Sequence, residues 1–145
     1  MSGAPPVVVR VTRRFEATAE RVFDAFLDPA KARRFLFATP AGRMVRAEID
    51  PRVGGAFCFV DRRDGVDAEH VGEYLEIDRP RRLVFEFWMP QHSPDRTRVV
   101  IEIAAQGTGC ALTLTHEMHP DWTHMRDRVT EGWTMILEGL AKTVE

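Results

Sequence analysis

Past residue 44 the apolar residues of this chain change their period once, and that change constrains the fold more than any other feature. Between Met44 and His116 they recur every second residue in short runs; from Met125 onward they recur every three or four. Period two is the mark of a strand with one buried face, and 3.6 that of an amphipathic helix. The runs are Met44 to Ile49, Ala56 to Val60, Glu69 to Asp78, Leu83 to Trp88, Arg98 to Ala105 and Cys110 to His116. Breaks rich in Pro, Gly and Asp separate them: Asp50-Pro51, Gly54-Gly55, Arg62-Arg63-Asp64-Gly65, Pro80, the segment Pro90 to Arg96, and Gly107-Thr108-Gly109. The closing stripe of Met125, Val129, Trp133, Ile136, Leu137, Leu140 and Val144 predicts one helix of about 20 residues. Gly132 and Gly139 fall inside it, and an interior Gly weakens a helix. They point to a neighbour that approaches closely.

Ahead of the alternating region, Val7 to Phe15 reads as a strand rich in β-branched residues. Thr18 is a candidate N-cap for a short helix with the stripe Val22, Phe23, Phe26 and Leu27. Asp28-Pro29 ends it, and Pro29 opens a second short helix, Ala30 to Leu36. Seven antiparallel strands must bury one face, and the long helix is the only element large enough to cover it. The sequence therefore predicts an α+β fold: a curved sheet of about seven strands wrapped around a C-terminal helix, in one domain spanning 1–145.

Composition excludes several alternatives. The chain has 145 residues, 44% of them hydrophobic, with 20 basic and 22 acidic side chains and a net charge of −2. That is too apolar for a disordered chain and too balanced for a general nucleic-acid binder. No apolar run reaches the length of a membrane span. Met1 to Pro6 has neither the basic nor the apolar part of a secretory leader. Cys58 and Cys110 lie in separate apolar strands without a CxxC motif, which fits free buried thiols in a reducing, cytoplasmic setting.

Catalytic motifs are lacking. There is no nucleotide-binding glycine loop, and Ser2 and Ser93 lie outside any nucleophile elbow. His116, Glu117, His119 and His124 cluster where the last strand meets the long helix. They do not form an HExxH helix, and Pro120 interrupts the segment, so no metal or other cofactor is expected. His116 shares parity with Leu112 and Leu114; it is either a satisfied structural histidine or a group that orients a ligand or a water. Glu73 shares parity with Val71, Leu75 and Ile77, opposite His70 and Tyr74. Were its face the inner one, Glu73 would be a buried carboxylate with a raised pKa. Parity alone leaves both faces open, and Glu86 has the same ambiguity. The best candidates for the wall of a binding site are Phe57, Phe85, Phe87, Trp122 and Trp133, the last because its indole N–H can place a donor in apolar surroundings.

Several segments together carry a family likeness. They are Phe15 to Phe23 with Asp28-Pro29, the Gly54-Gly55 pair, and Gly72 to Ile77 with Pro80 and Arg82 to Phe85. Leu112 to His116 and Gly132-Trp133 with Leu137 and Leu140 complete the set. In this order and spacing the chain, over about residues 8–144, resembles the SRPBCC or START-like helix-grip superfamily. Within it, the chain looks like the branch related to the activator of heat-shock-protein-90 ATPase. It departs from that branch where Phe35-Leu36-Phe37 stands in place of a usual Trp. The resemblance implies a hydrophobic cavity between sheet and long helix that holds a small apolar or amphipathic molecule. Small-molecule binding is therefore the leading expectation; the alternatives the resemblance leaves are a cyclase- or hydrolase-type enzyme using a cavity His or carboxylate, and a stress-related module that docks on a chaperone. Homodimerisation through the sheet is a further option. Fold likeness alone does not select among these roles.

Overall fold

The computed structural model describes residues 5–145; Met1 to Ala4, and with them most of the stretch Met1 to Pro6, lie outside the described residues. Strand β1 (Val7–Phe15) is followed by two short helices, α1 (Ala19–Leu27) and α2 (Pro29–Ala32). Six strands come next: β2 (Arg43–Ile49), β3 (Ala56–Arg63), β4 (Val66–Asp78), β5 (Arg82–Trp88), β6 (Thr97–Gln106) and β7 (Gly109–Met118). A 3-10 segment, Pro120–Met125, leads into the long helix α3 (Arg126–Val144). The sheet is antiparallel with the order β1-β7-β6-β5-β4-β3-β2, so β1 closes back on β7 and β2 forms the far edge. The α+β architecture expected from the sequence is the one observed.

Local chemistry accounts for the helix starts. Thr18 Oγ1 accepts the backbone N–H of Arg21 at 3.2 Å and caps α1; Asp28 Oδ1 accepts that of Ala30 at 2.9 Å and caps α2, with Pro29 in its first turn. α2 is shorter than the predicted Ala30 to Leu36. After Ala32 the chain tightens into turns and ends at Phe37, whose φ is +59°. The reason is tertiary: Phe35, Leu36 and Phe37 are all drawn into the core, where Phe35 meets the Phe26 ring edge-on at 5.3 Å.

α3 lies across the concave face and buries Trp133, Ile136, Leu137, Leu140, Ala141 and Val144. Each large apolar side chain so buried contributes roughly 1.5–3 kcal/mol. Of the two helix glycines, Gly139 does meet a close neighbour: a Cβ there would stand 3.0 Å from that of Phe35. Gly132 does not, since nothing lies within 4 Å of the same position.

Two features of register matter for the site. The β3–β4 turn is only Asp64-Gly65, with φ of +52° and +77°, the two-residue hairpin that favours Asp-Gly. Arg62 and Arg63, expected in the turn, therefore belong to β3. A bulge between Tyr74 and Glu76 reverses the parity of β4. Before it His70, Gly72 and Tyr74 face inward; after it Ile77 does, packed against the core. The thiols cannot pair, because β4, β5 and β6 separate the strands of Cys58 and Cys110. Burial pushes both thiols above their usual pKa.

Candidate functional site

The inner face of the sheet is tiled with aromatic rings. Phe57, on β3, meets Tyr74 at 5.3 Å and the edge of Phe85 at 5.4 Å; Phe37 meets Phe87 at 5.0 Å. Phe57 and Phe85 are 4% and 1% exposed, so they fill the interior between sheet and helix. Open space begins beyond them, at the end of the sheet where α3 starts. There the 89–97 segment, the ends of β5 and β7, the 3-10 segment and the first turn of α3 enclose a cleft of about 620 Å³. Phe87, Trp88, Trp122, Met89, Met118 and Met125 supply most of its wall, and Arg63, Asp95 and Arg128 its charges.

His116 sits between this cleft and the core, 4% exposed. Trp133 Nε1–H donates to its Nδ1 at 2.9 Å. Because Nδ1 accepts, the ring proton is on Nε2, which donates to Thr97 Oγ1 at 2.8 Å. Thr97 Oγ1–H in turn donates to the carbonyl of Phe87 at 3.2 Å. The chain of donors thus runs one way, and both imidazole nitrogens are occupied. Burial pushes the His116 pKa down to about 4, which keeps the ring neutral. Trp133→Phe keeps an aromatic ring but removes the donor, leaving a buried acceptor unpaired. Urea unfolding should show a loss of about 1–3 kcal/mol; a change under about 0.5 kcal/mol would mean that this bond carries no weight.

A second polar group lies at the end of β3, and parity explains it. Phe57, Phe59, Asp61 and Arg63 alternate onto the inner face. Asp61 is 1% exposed; its Oδ2 accepts from Thr39 Oγ1 and from Arg63 Nε, both at 2.8 Å. Arg63 Nη2 donates to the carbonyl of Phe37 at 3.2 Å. Nearby, the His70 ring lies flat on Phe37, with centroids 4.4 Å apart and 13° between planes. Burial first and the Arg63 charge second push the His70 pKa down to about 4.

Of the side chains picked from the sequence, Phe87, His116 and Trp122 line the cleft and Trp133 stands behind it, bonded to His116. Phe57 and Phe85 belong to the filled interior. Glu73 does not join them: it lies on the outer face, 40% exposed, with its carboxylate 3.4 Å from Arg96. The inward places on β4 are taken by His70, Gly72 and Tyr74, which pack on the β3 and β5 aromatics, so Glu73 must point away. Glu86, across the β4–β5 pair, shares Arg96 at 3.5 Å, and that guanidinium stacks 4.3 Å over Trp88. The histidine cluster disperses as well. Glu117 turns outward toward Arg98, His119 Nδ1 caps the 3-10 segment by accepting from Asp121 N at 3.1 Å, and His124 stacks on Trp122. Among the described residues no group of three or more His, Cys, Asp or Glu is placed to hold a metal ion. Asp61 and Arg63 were not legible as site residues in the sequence. The signal for them is the alternation that continues past Val60, which the polar run Arg62-Arg63-Asp64-Gly65 masks because it also fits a turn.

Solved structures place this architecture among relatives. A crystal structure of a protein from Chromobacterium violaceum is 28% identical, covers 97% of this chain and 99% of its own, and superposes with a TM-score of 0.87. The AHSA1-like protein from Aeromonas hydrophila, solved in solution, is 21% identical over 94% of this chain and 91% of its own, with a TM-score of 0.81. A Staphylococcus aureus protein of unknown function reaches a TM-score of 0.82 at 14% identity, covering 95% and 93% of the two chains. No curated protein sequence matches. The family profile described as activator of Hsp90 ATPase homolog 1-like protein matches residues 16–145. From the end of the first strand to its last residue, this chain therefore belongs to the activator of Hsp90 ATPase homolog 1-like family, with the helix-grip fold.

Proposed function

We propose that this protein binds a small apolar or amphipathic molecule in the cleft between the sheet and the start of α3. The observation that carries the reading is the cleft itself. Its volume of about 620 Å³ falls in the range of drug-sized ligand sites, and its wall is mostly apolar with a few fixed polar groups. Met89, Met118 and Met125 give it adaptable, polarisable side chains, suited to ligands of varied shape. In this reading Phe87, Trp122 and His116 contact the ligand, and Trp133 holds the imidazole in place.

An enzymatic role has less support. Both His116 nitrogens are engaged by protein partners, and Glu73 and Glu86 pair with Arg96 on the far side of the sheet. The family description, which names an ATPase activator of a chaperone, keeps a chaperone-related role as a second reading. Against it, the exposed large apolar side chains among the described residues are Val53, Val66 and Met135, on three separate elements rather than one patch.

The test is a thermal-shift and tryptophan-fluorescence titration against fatty acids, aromatic polyketides and flavonoids. A true ligand at a hundred times its Kd should stabilise the fold by about 2.7 kcal/mol and change the emission of the cleft residues Trp88 and Trp122. If every class leaves both signals unchanged, the reading fails.

A further inference from the structure

Arg63 is held in a way that a solvated surface arginine does not need. Two of its guanidinium nitrogens are committed to fixed acceptors, Nε to the buried Asp61 carboxylate at 2.8 Å and Nη2 to the Phe37 carbonyl at 3.2 Å. The remaining nitrogen, Nη1, has no hydrogen-bond partner among the described residues and is not fully buried, and the side chain, 39% exposed, lines the cleft.

The holding groups are themselves fixed. Thr39 donates to Asp61, and the turn after it closes so tightly at Gly42 that a Cβ would overlap the Asp61 carboxylate and the Thr39 hydroxyl. Phe37 keeps a left-handed backbone, uncommon for a bulky residue and sustained only where the surroundings over-determine it. Its carbonyl meets Arg63 while its ring lies on His70. The guanidinium is thus locked in orientation before any ligand arrives. A locked planar donor beside an apolar wall suits a planar anion, because little side-chain entropy is left to lose on binding. Asp61 offsets the charge of Arg63 from behind, and the lining itself carries a second cation, Arg128, against the carboxylate of Asp95.

Resting on the ligand-binding reading above, we propose that the cleft takes an amphipathic carboxylic acid. Its carboxylate pairs with Arg63 Nη1 and its apolar body lies against the methionine and tryptophan wall. Asp61, Thr39 and Phe37 are positioning residues that aim the guanidinium. Nothing in this assignment requires a covalent step.

The experiment compares decanoate with 1-decanol, and 2-naphthoate with 2-naphthylmethanol, by fluorescence titration at pH 7.5. Each acid should bind at least about tenfold more tightly than its alcohol, as expected for one hydrogen bond to a charged group. Arg63→Met should erase that preference while keeping alcohol binding, and Arg63→Lys should retain part of it. Arg63→Met leaves Asp61 without its partner and can weaken folding, so a second measurement uses the unaltered protein. Decanoate labelled with carbon-13 at its carboxyl, followed by NMR as the pH falls from about 7.5 to about 6, where the protein stays folded, should stay ionised when bound. Titration of the bound carboxyl above about pH 6 would instead show an acid buried without a cation and would overturn the proposal. So would equal affinity for acid and alcohol, or an acid preference that survives Arg63→Met. Binding of the alcohols without acid preference removes the carboxylate assignment and leaves the ligand-binding reading standing; binding of neither removes both.

Discussion

Lowering the pH from 7 to 4.5 is expected to strip this protein of several kcal/mol of stability, enough to approach unfolding. His70 and His116 are 6% and 4% exposed, and burial leads the causes that push each pKa from 6.5 down to about 4. The folded state keeps both rings neutral through that window. In the unfolded chain they take up protons as the pH drops below 6.5, so the unfolded state binds more protons and gains relative to the folded one. Stability is therefore full above about pH 6.5, falls between 6.5 and 4, and loses nothing further to these two groups below 4. At about 1.36 kcal/mol per pH unit for each group, the loss is roughly 3 kcal/mol per histidine. Domains of this kind have about 5–15 kcal/mol in all. The surroundings explain the resistance to protonation. A proton on His116 Nδ1 would face the Trp133 N–H, and one on His70 would add a charge beside Arg63, with Asp61 as the nearby carboxylate that partly offsets it. Urea unfolding from pH 8 to 4.5 measures this, and a free energy of unfolding that stays flat between pH 6.5 and 5 would refute it.

Gly72→Ala is expected to destabilise the fold by about 3 kcal/mol, the upper end for overpacking a core. Gly72 faces inward in β4 directly opposite Phe57 and Phe87, and a methyl group there would overlap the Phe57 ring and the backbone carbonyl of Glu86. The carbonyl cannot move without breaking the β4–β5 pairing. The ring cannot move without disturbing its contacts with Tyr74 and Phe85. Gly132→Ala is the informative counterpart. A Cβ at that position meets open space, and alanine is the better helix former, so this change should stabilise by about 0.5–1 kcal/mol. Equal effects of the two substitutions in urea unfolding would contradict the packing described.

These expectations rest on different degrees of legibility. The strands, the two short helices and α3 were readable because each has its own period, cap or turn residue; the alternation of Val99, Ile101 and Ile103 needs no tertiary knowledge to predict. The candidate cleft was legible only in part. Phe87, His116, Trp122 and Trp133 were chosen for parity and chemistry, and they gather around one end of the sheet. Glu73 was chosen on the same grounds and faces away, because a parity rule names two faces without ranking them and the bulge after Tyr74 lets β4 bury residues of both parities. Arg63 was hidden for a simpler reason: one polar run can be a wide turn or the end of a strand, and only the Asp64-Gly65 backbone decides.

By itself, then, the sequence determined the period of each segment, and with it the layers: seven strands that need one cover and one helix long enough to be it. Periodicity is a local property, written in residues two to four apart. Only the tertiary structure decided which face of β4 is inner and that the middle of the grip is filled while a cleft stands open at its end. It also decided that the two buried histidines lie in different surroundings, one satisfied at both nitrogens and one stacked beside an arginine. Those outcomes depend on contacts between residues far apart in the chain, where volume, burial and charge are settled by neighbours that no local pattern names.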